Sequence, residues 1–122
     1  LAEQIDVVSA HGTATPYNDA MEALALRTVL GDRLARIPAH AAKAAIGHTL
    51  GAAGILETLI VLEAMARGIV PPTVVEGEVD PSLGVALPAV PQPGRFERAL
   101  KVSSAFGGAN AALVLERGGE RR

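Results

Sequence analysis

The sequence predicts an α/β domain, a layered mixed sheet packed on a buried central helix, and three stretches point to it. "IDVVSA", Ile5 to Ala10, is a short β-rich run. "LGAAGILETLIVLEAMARG", Leu50 to Gly68, is a long apolar run broken only by Glu57, Glu63 and Arg67. "FERALKVSSAF" and "ANAALVLERG" read as two closing strands separated by Gly107 and Gly108. Strand and helix signals alternate with no internal repeat. A length of 122 residues suits one domain with its own core.

The first strand stops at His11 and Gly12. Asn18 then precedes "DAMEALALRTVLG", with apolar residues at Met21, Leu24, Ala25, Val29 and Leu30, acids at Asp19 and Glu22 in its first turn, and Gly31 as its stop. Those are the marks of a capped amphipathic helix. "RIPAHAAKA", Arg36 to Ala44, supplies a short strand or an extended lead-in to the next helix. That helix, from about Gly51 to Arg67 and about 25 Å long at helical rise, has apolar residues almost all round, at Leu50, Ala53, Ile55, Leu56, Leu59, Ile60, Val61, Leu62 and Met65. It is therefore expected to be covered on most sides. No apolar run reaches membrane-spanning length without a charge, so no membrane partner is expected.

Pro71 to Gly94 is rich in proline and glycine and reads as an ordered extended loop with at most short strands. Strands over Ala99–Ser104 and Ala109–Glu116, joined by so short a link, are expected to pair antiparallel. The domain then occupies residues 1–117, and 118–122 form a solvated tail.

Composition narrows the chemistry. A formal net charge of -2 leaves no basic footprint for nucleic acid or an anionic surface. With no cysteine, the chain has no disulfide, thiolate metal site or cysteine nucleophile of its own; no metal site is expected. It begins at Leu1 without a basic-then-apolar leader, which argues against a signal peptide and for a segment of a longer polypeptide.

Three loops carry polar residues that a plain core does not need. In "AHGTATPYND", His11, Thr13 and Thr15 flank a turn, and turn chemistry alone would account for the triplet "HGT". In "KAAIGHTLGAAG", Gly47 lets the backbone pass close to another group, and Gly51 and Gly54 allow tight packing of the helix start. A histidine just before a helix N-terminus sits in a positive field, so His48 is expected to be a neutral hydrogen-bond donor. Lys43 is costly to bury without a carboxylate, and Glu57 is the acid placed to meet it; the plain reading is an ion pair that anchors the helix. In "SSAFGGAN", the glycines free backbone N–H groups to face a ligand, or simply make a hairpin.

In this order and at these separations, the three loops resemble the C-terminal half of the β-ketoacyl-acyl-carrier-protein synthases, condensing enzymes of the thiolase-like superfamily. "AHGTATPYND" is similar to that family's first histidine loop, "KAAIGHTLGAAG" to its lysine and second histidine loop, and "SSAFGGANAALVLE" to its closing strands with the gating phenylalanine. The likeness covers essentially the whole chain and implies a thiolase-like layered mixed sheet, C-terminal half of the fold. Ala14 stands where Gly or Ser is common, and "SSAFGG" replaces "SFGFGG".

The resemblance implies a decarboxylative Claisen condensation. An acyl group sits on a cysteine, a malonyl unit loses carbon dioxide, and the carbanion attacks the thioester. It makes His11 and His48 donors to the malonyl thioester carbonyl, Lys43 their organiser with Glu57 in support, and Thr13 and Thr15 contacts for the phosphopantetheine arm. Phe106 gates access and offers its N–H to the acyl oxyanion, with Gly107 and Gly108 in the gating loop. His11 and His48 are then expected to converge at one end of the sheet with Phe106 nearby, and His40 to lie outside.

No cofactor is implied, since phosphopantetheine arrives on the acyl carrier protein. The implied partners are acyl carrier protein, the half that bears the cysteine, and a second synthase or partner subunit in a cytoplasmic dimer. "TPYNDAME" favours the dissociated, single-activity synthases of fatty acid or polyketide pathways over the modular ones. The main competing reading is a non-catalytic, chain-length-factor-like partner subunit; such subunits usually lose one or more of the matched histidines, and both are present here. A degradative thiolase, which normally shows a cysteine in this half, is the second, and a plain structural or binding domain the third. A half-fold standing alone would also expose apolar surface.

Overall fold

The computed structural model describes residues 2–118. Strand β1 (Val7–Ser9) leads through the His11 loop into α1 (Pro16–Leu30), then β2 (Ala39–His40), the short α2 (Lys43–Ile46) and α3 (Ala53–Arg67). Next come β3 (Ile69–Val70), a long loop, β4 (Gln92–Pro93), β5 (Arg98–Ser104) and β6 (Asn110–Glu116). The main sheet has the order β2-β1-β5-β6. β1 lies parallel to both of its neighbours, and β6 runs antiparallel to β5. Of the expected tail, residues 119–122 lie outside the described residues.

Strand alternation sorts the core into two layers. Val8 and Leu100 face α1, where Leu26, Leu30, Leu34 and Ile37 close over them. Val7 and Ala99 face α3, against Val61, Met65, Val70 and Phe96. By the same period of two, Ser9 and Lys101 share the α3 face. The sheet is thus covered by a helix on each side, as the alternating strand and helix signals imply.

Several expectations need correction. α1 begins at Pro16, earlier than the Asn18 cap, because proline is pre-organised for the first helical position. Its buried stripe is Glu22, Ala23, Leu26 and Leu30, while Met21, Leu24, Ala25 and Val29 are exposed. The helix carries two apolar stripes, and only the one reaching the sheet is covered.

α3 repeats the pattern. Ala53, Glu57, Val61, Ala64 and Met65 are buried, but Ile55, Leu56, Leu59 and Leu62 are exposed, so it is covered on one face within this chain and not on most sides. An ideal Cβ on Gly47, Gly51 or Gly54 meets nothing within 4 Å. Within this chain nothing packs tightly against Gly51 or Gly54. Gly47 answers to its φ of +78 instead of to a close neighbour. The segment from Arg36 to Ala44 is strand only at Ala39–His40, and Lys43 already opens α2.

The Pro71–Gly94 loop is ordered as expected: β4 pairs with β3, and Thr73 N–H donates to Pro88 O at 2.9 Å. The closing hairpin is also as expected, with Ala105 N–H donating to Ala109 O at 2.8 Å. β6 is an edge strand with Leu113 and Val114 exposed. No helix among the described residues is long and apolar enough to cross a membrane.

Candidate functional site

His11 follows the carboxyl end of the central strand β1, where loops beyond parallel strands gather. Two features fix its backbone. Glu22, one turn before Leu26 on the buried stripe of α1, accepts the N–H of His11 at 2.6 Å and that of Gly12 at 2.9 Å. Gly12, at φ +48, lets the loop close on the next segment: a Cβ there would stand 2.6 Å from Ala41 Cβ. The first histidine loop is thereby locked to the chain that carries Lys43.

Lys43 lies beneath His11. Its Nζ donates to His11 O at 2.5 Å and to Glu57 Oε1 at 2.5 Å, and lies 3.3 Å from His11 Nδ1. An ammonium has only donors, so Nδ1 is the acceptor and the imidazole carries its proton on Nε2. Burial pushes the His11 pKa down, the Lys43 charge adds to this, and Glu57 partly offsets it. His11 is a neutral Nε2–H donor near pH 7.

His48 sits in the exposed turn between α2 and α3. Its Nδ1 accepts the Leu50 N–H at 3.2 Å, which again leaves the proton for Nε2. Leu50 takes a φ of +51 to make this turn, and Ala14 beside Thr13 takes +56. Both are non-glycine residues in the left-handed region, so each histidine loop stores backbone strain. The two imidazoles meet edge to face with ring centroids 5.8 Å apart. Two Nε2–H donors so close can share one oxygen on which negative charge develops.

The remaining residues divide. Glu57, 1% exposed, is the expected partner of Lys43. Burial raises its pKa, but Lys101 and Lys43 outweigh this and hold it below the usual carboxylate range. Thr13 and Thr15 are joined through their hydroxyls at 3.1 Å on the exposed rim. Phe106 stands past the carboxyl end of β5, in a turn with Gly107 and Gly108; its ring is 100% exposed and does not stack on either imidazole. His40 is buried on β2, bonded to the backbone of Pro71, and forms none of the site's hydrogen bonds.

Two residues escaped the sequence reading. Glu22 reads from the sequence as a first-turn acid, but its spacing of four from Leu26 places it on the buried stripe. Lys101 reads as one polar residue inside an apolar strand, but it alternates with Ala99 onto the core face. Its Nζ lies 2.6 Å from Glu57 Oε2.

Known proteins with this geometry are similar along nearly the whole chain. Residues 1–75 match the family model of the beta-ketoacyl synthase C-terminal domain. A 3-oxoacyl-[acyl-carrier-protein] synthase 2 from Coxiella burnetii is 38% identical over 94% of this chain and 28% of its own length. The tetracenomycin polyketide synthase ketoacyl synthase alpha subunit of Streptomyces glaucescens is 37% identical over 98% and 28%. Among solved structures, the ishigamide ketosynthase/chain length factor superposes with a TM-score of 0.90 at 37% identity, over 98% of this chain and 29% of that one. A ketosynthase bound to its type II polyketide acyl carrier protein and a hexaketide gives 0.88 at 30% identity, over 93% and 28%.

The chain therefore spans a little over a quarter of the length of these relatives. A family match over 75 of its 122 residues, together with relatives 37–38% identical over 94–98% of the chain, makes it a member of the β-ketoacyl synthase C-terminal domain family.

Proposed function

We propose that this domain, residues 1–117, supplies the enolate-stabilising half of a β-ketoacyl-acyl-carrier-protein synthase. The observation that carries the reading is the pair of imidazoles 5.8 Å apart, each with its Nδ1 used as an acceptor. A malonyl thioester whose carbonyl oxygen accepts from both Nε2–H groups loses carbon dioxide, and the electron pair of the broken C–C bond passes to that oxygen as an enolate. Neutral donors favour this step because they bind the developing charge more strongly than the ground-state carbonyl. The enolate carbon then attacks an acyl thioester and expels its thiolate, giving a 3-oxoacyl product two carbons longer.

Lys43 and Glu57 keep His11 in the required tautomer. Thr13 and Thr15 offer hydroxyls to the phosphopantetheine arm on the exposed rim. Phe106, just before the left-handed Gly107 and Gly108, offers a ring with nothing packed against it as the gate. The cysteine nucleophile must come from outside these 122 residues, which contain none, so this chain by itself is inactive in the full reaction. Acyl carrier protein as donor, a cytoplasmic site of action and a dimeric or synthase/partner assembly complete the reading. Fatty acid and polyketide pathways both remain open to it.

The match to a ketosynthase/chain length factor pair favours one second reading, a non-catalytic partner subunit. The residue at the nucleophile position separates the two: cysteine on a strand-to-helix turn marks the synthase. The intact protein, incubated with acyl- and malonyl-acyl carrier protein, is expected to release carbon dioxide and form the 3-oxoacyl product. A folded protein that bears the cysteine and does neither would refute the proposal.

A further inference from the structure

Lys101 is a buried ammonium for which the condensation has no task. It lies on β5, 1% exposed, and its Nζ donates to Ser103 Oγ at 3.0 Å and to the carbonyl of Val102. Its third contact is Glu57 Oε2, close enough for an ion pair but not aligned as a hydrogen bond. Glu57 Oε1 belongs to Lys43. One buried carboxylate is thus shared by two ammonium groups, one at each oxygen.

That arrangement is expensive for a lysine with only a packing role, because a buried ion costs several kcal/mol unless it is fully paired. Two cations against one anion leave one net positive charge. The next acid, Glu22, is committed to the backbone N–H groups of His11 and Gly12. The surplus charge faces His11, whose other titratable neighbours are Lys43, Glu57 and His48.

We infer that Lys101 is a positioning residue of this site: it holds the second oxygen of Glu57, so that Lys43 stays against His11 Nδ1 and the imidazole keeps its proton on Nε2. The catalytic consequence rests on the proposed role of His11. The effect on the imidazole does not, and it can be read without substrate.

Imidazole 15N spectra of the intact protein, followed through a pH titration, report the tautomer and midpoint of His11. Lys101→Met removes one positive charge and is expected to raise the midpoint, since that charge lowers it in the wild type. It should also mix the Nδ1–H tautomer into a ring that was Nε2–H. Lys101→Arg keeps the charge and is expected to restore both readings. A folded Lys101→Met protein with His11 unchanged would reduce Lys101 to a core lysine and overturn the inference.

Should Lys101→Met not fold, the double variant Lys101→Met/Glu57→Gln leaves no orphaned carboxylate and keeps the net charge at one. Its His11 midpoint is expected to stay near the wild-type value. A midpoint raised as far in that variant as in Lys101→Met would show that His11 does not follow the charge of the triad, and would equally overturn the inference. Neither outcome touches the decarboxylation reading, which is decided by carbon dioxide release.

Discussion

The Glu22 carboxylate accepts two successive backbone N–H groups, those of His11 at 2.6 Å and Gly12 at 2.9 Å, and so ties the first histidine loop to the helix that follows it. Glu22→Gln keeps the shape but turns one acceptor into a donor facing a donor. Charge-assisted hydrogen bonds of this kind contribute about 1.5–3 kcal/mol each. The variant is expected to lose about 2 kcal/mol or more in urea unfolding. Stability within about 0.5 kcal/mol of wild type would show that the loop is held by something else.

Gly12 and Ala41 test the lock between the two histidine loops. Gly12→Ala places a Cβ 2.6 Å from Ala41 Cβ at a φ of +48. Left-handed strain and overpacking together predict a loss of about 2–4 kcal/mol. Ala41→Gly in the same chain removes the clash but not the strain, so about half of the loss is expected to return. No recovery in that double variant would place the whole cost in the backbone.

At Ala14 the expected sign is reversed. Its φ of +56 is one that glycine adopts freely, so Ala14→Gly is expected to stabilise the fold by about 0.5–1 kcal/mol after the added freedom of the unfolded chain is counted. Thermal unfolding checks this, and a lowered midpoint would contradict it.

Acid is expected to weaken the fold in two stages. Burial lowers the pKa of His11 and His40 below 6.5, so between 6.5 and their folded values the unfolded chain binds more protons and stability falls as pH falls. Glu57 is raised by burial but lowered further by Lys101 and Lys43, ending below 4.5; the stability it contributes above 4.5 is lost as pH drops through its folded value. Urea midpoints measured from pH 7.5 down to pH 3 are expected to decline throughout. A rise on acidification below pH 6.5 would contradict the assignment of neutral, buried imidazoles.

Residue patterns carried the strands and the histidine loops well, because β-rich runs, glycines and the His-Lys spacing are local signals. "IDVVSA" became β1, the Gly107–Gly108 link became the hairpin, and Lys43 met Glu57 across fourteen residues. Which face of each helix is buried was not legible. Met21 and Leu24 are as apolar as Ala23 and Leu26, and only the packing of the sheet chooses between the two stripes. Lys101 was hidden for a related reason: a lysine in a strand reads as solvated until its partner, forty-four residues away at Glu57, is placed beneath it.

His48 is the donor whose loss separates decarboxylation from acylation most directly. In the intact protein, His48→Ala removes one of the two Nε2–H donors without touching the Lys43–Glu57 pair, so carbon dioxide release from malonyl-acyl carrier protein is expected to fall by about 10² or more. Self-acylation from an acyl donor, measured separately, is expected to survive far better, whereas Lys43→Ala damages both steps. Carbon dioxide release at the wild-type rate in His48→Ala would contradict the paired-donor site and leave that histidine as a turn residue.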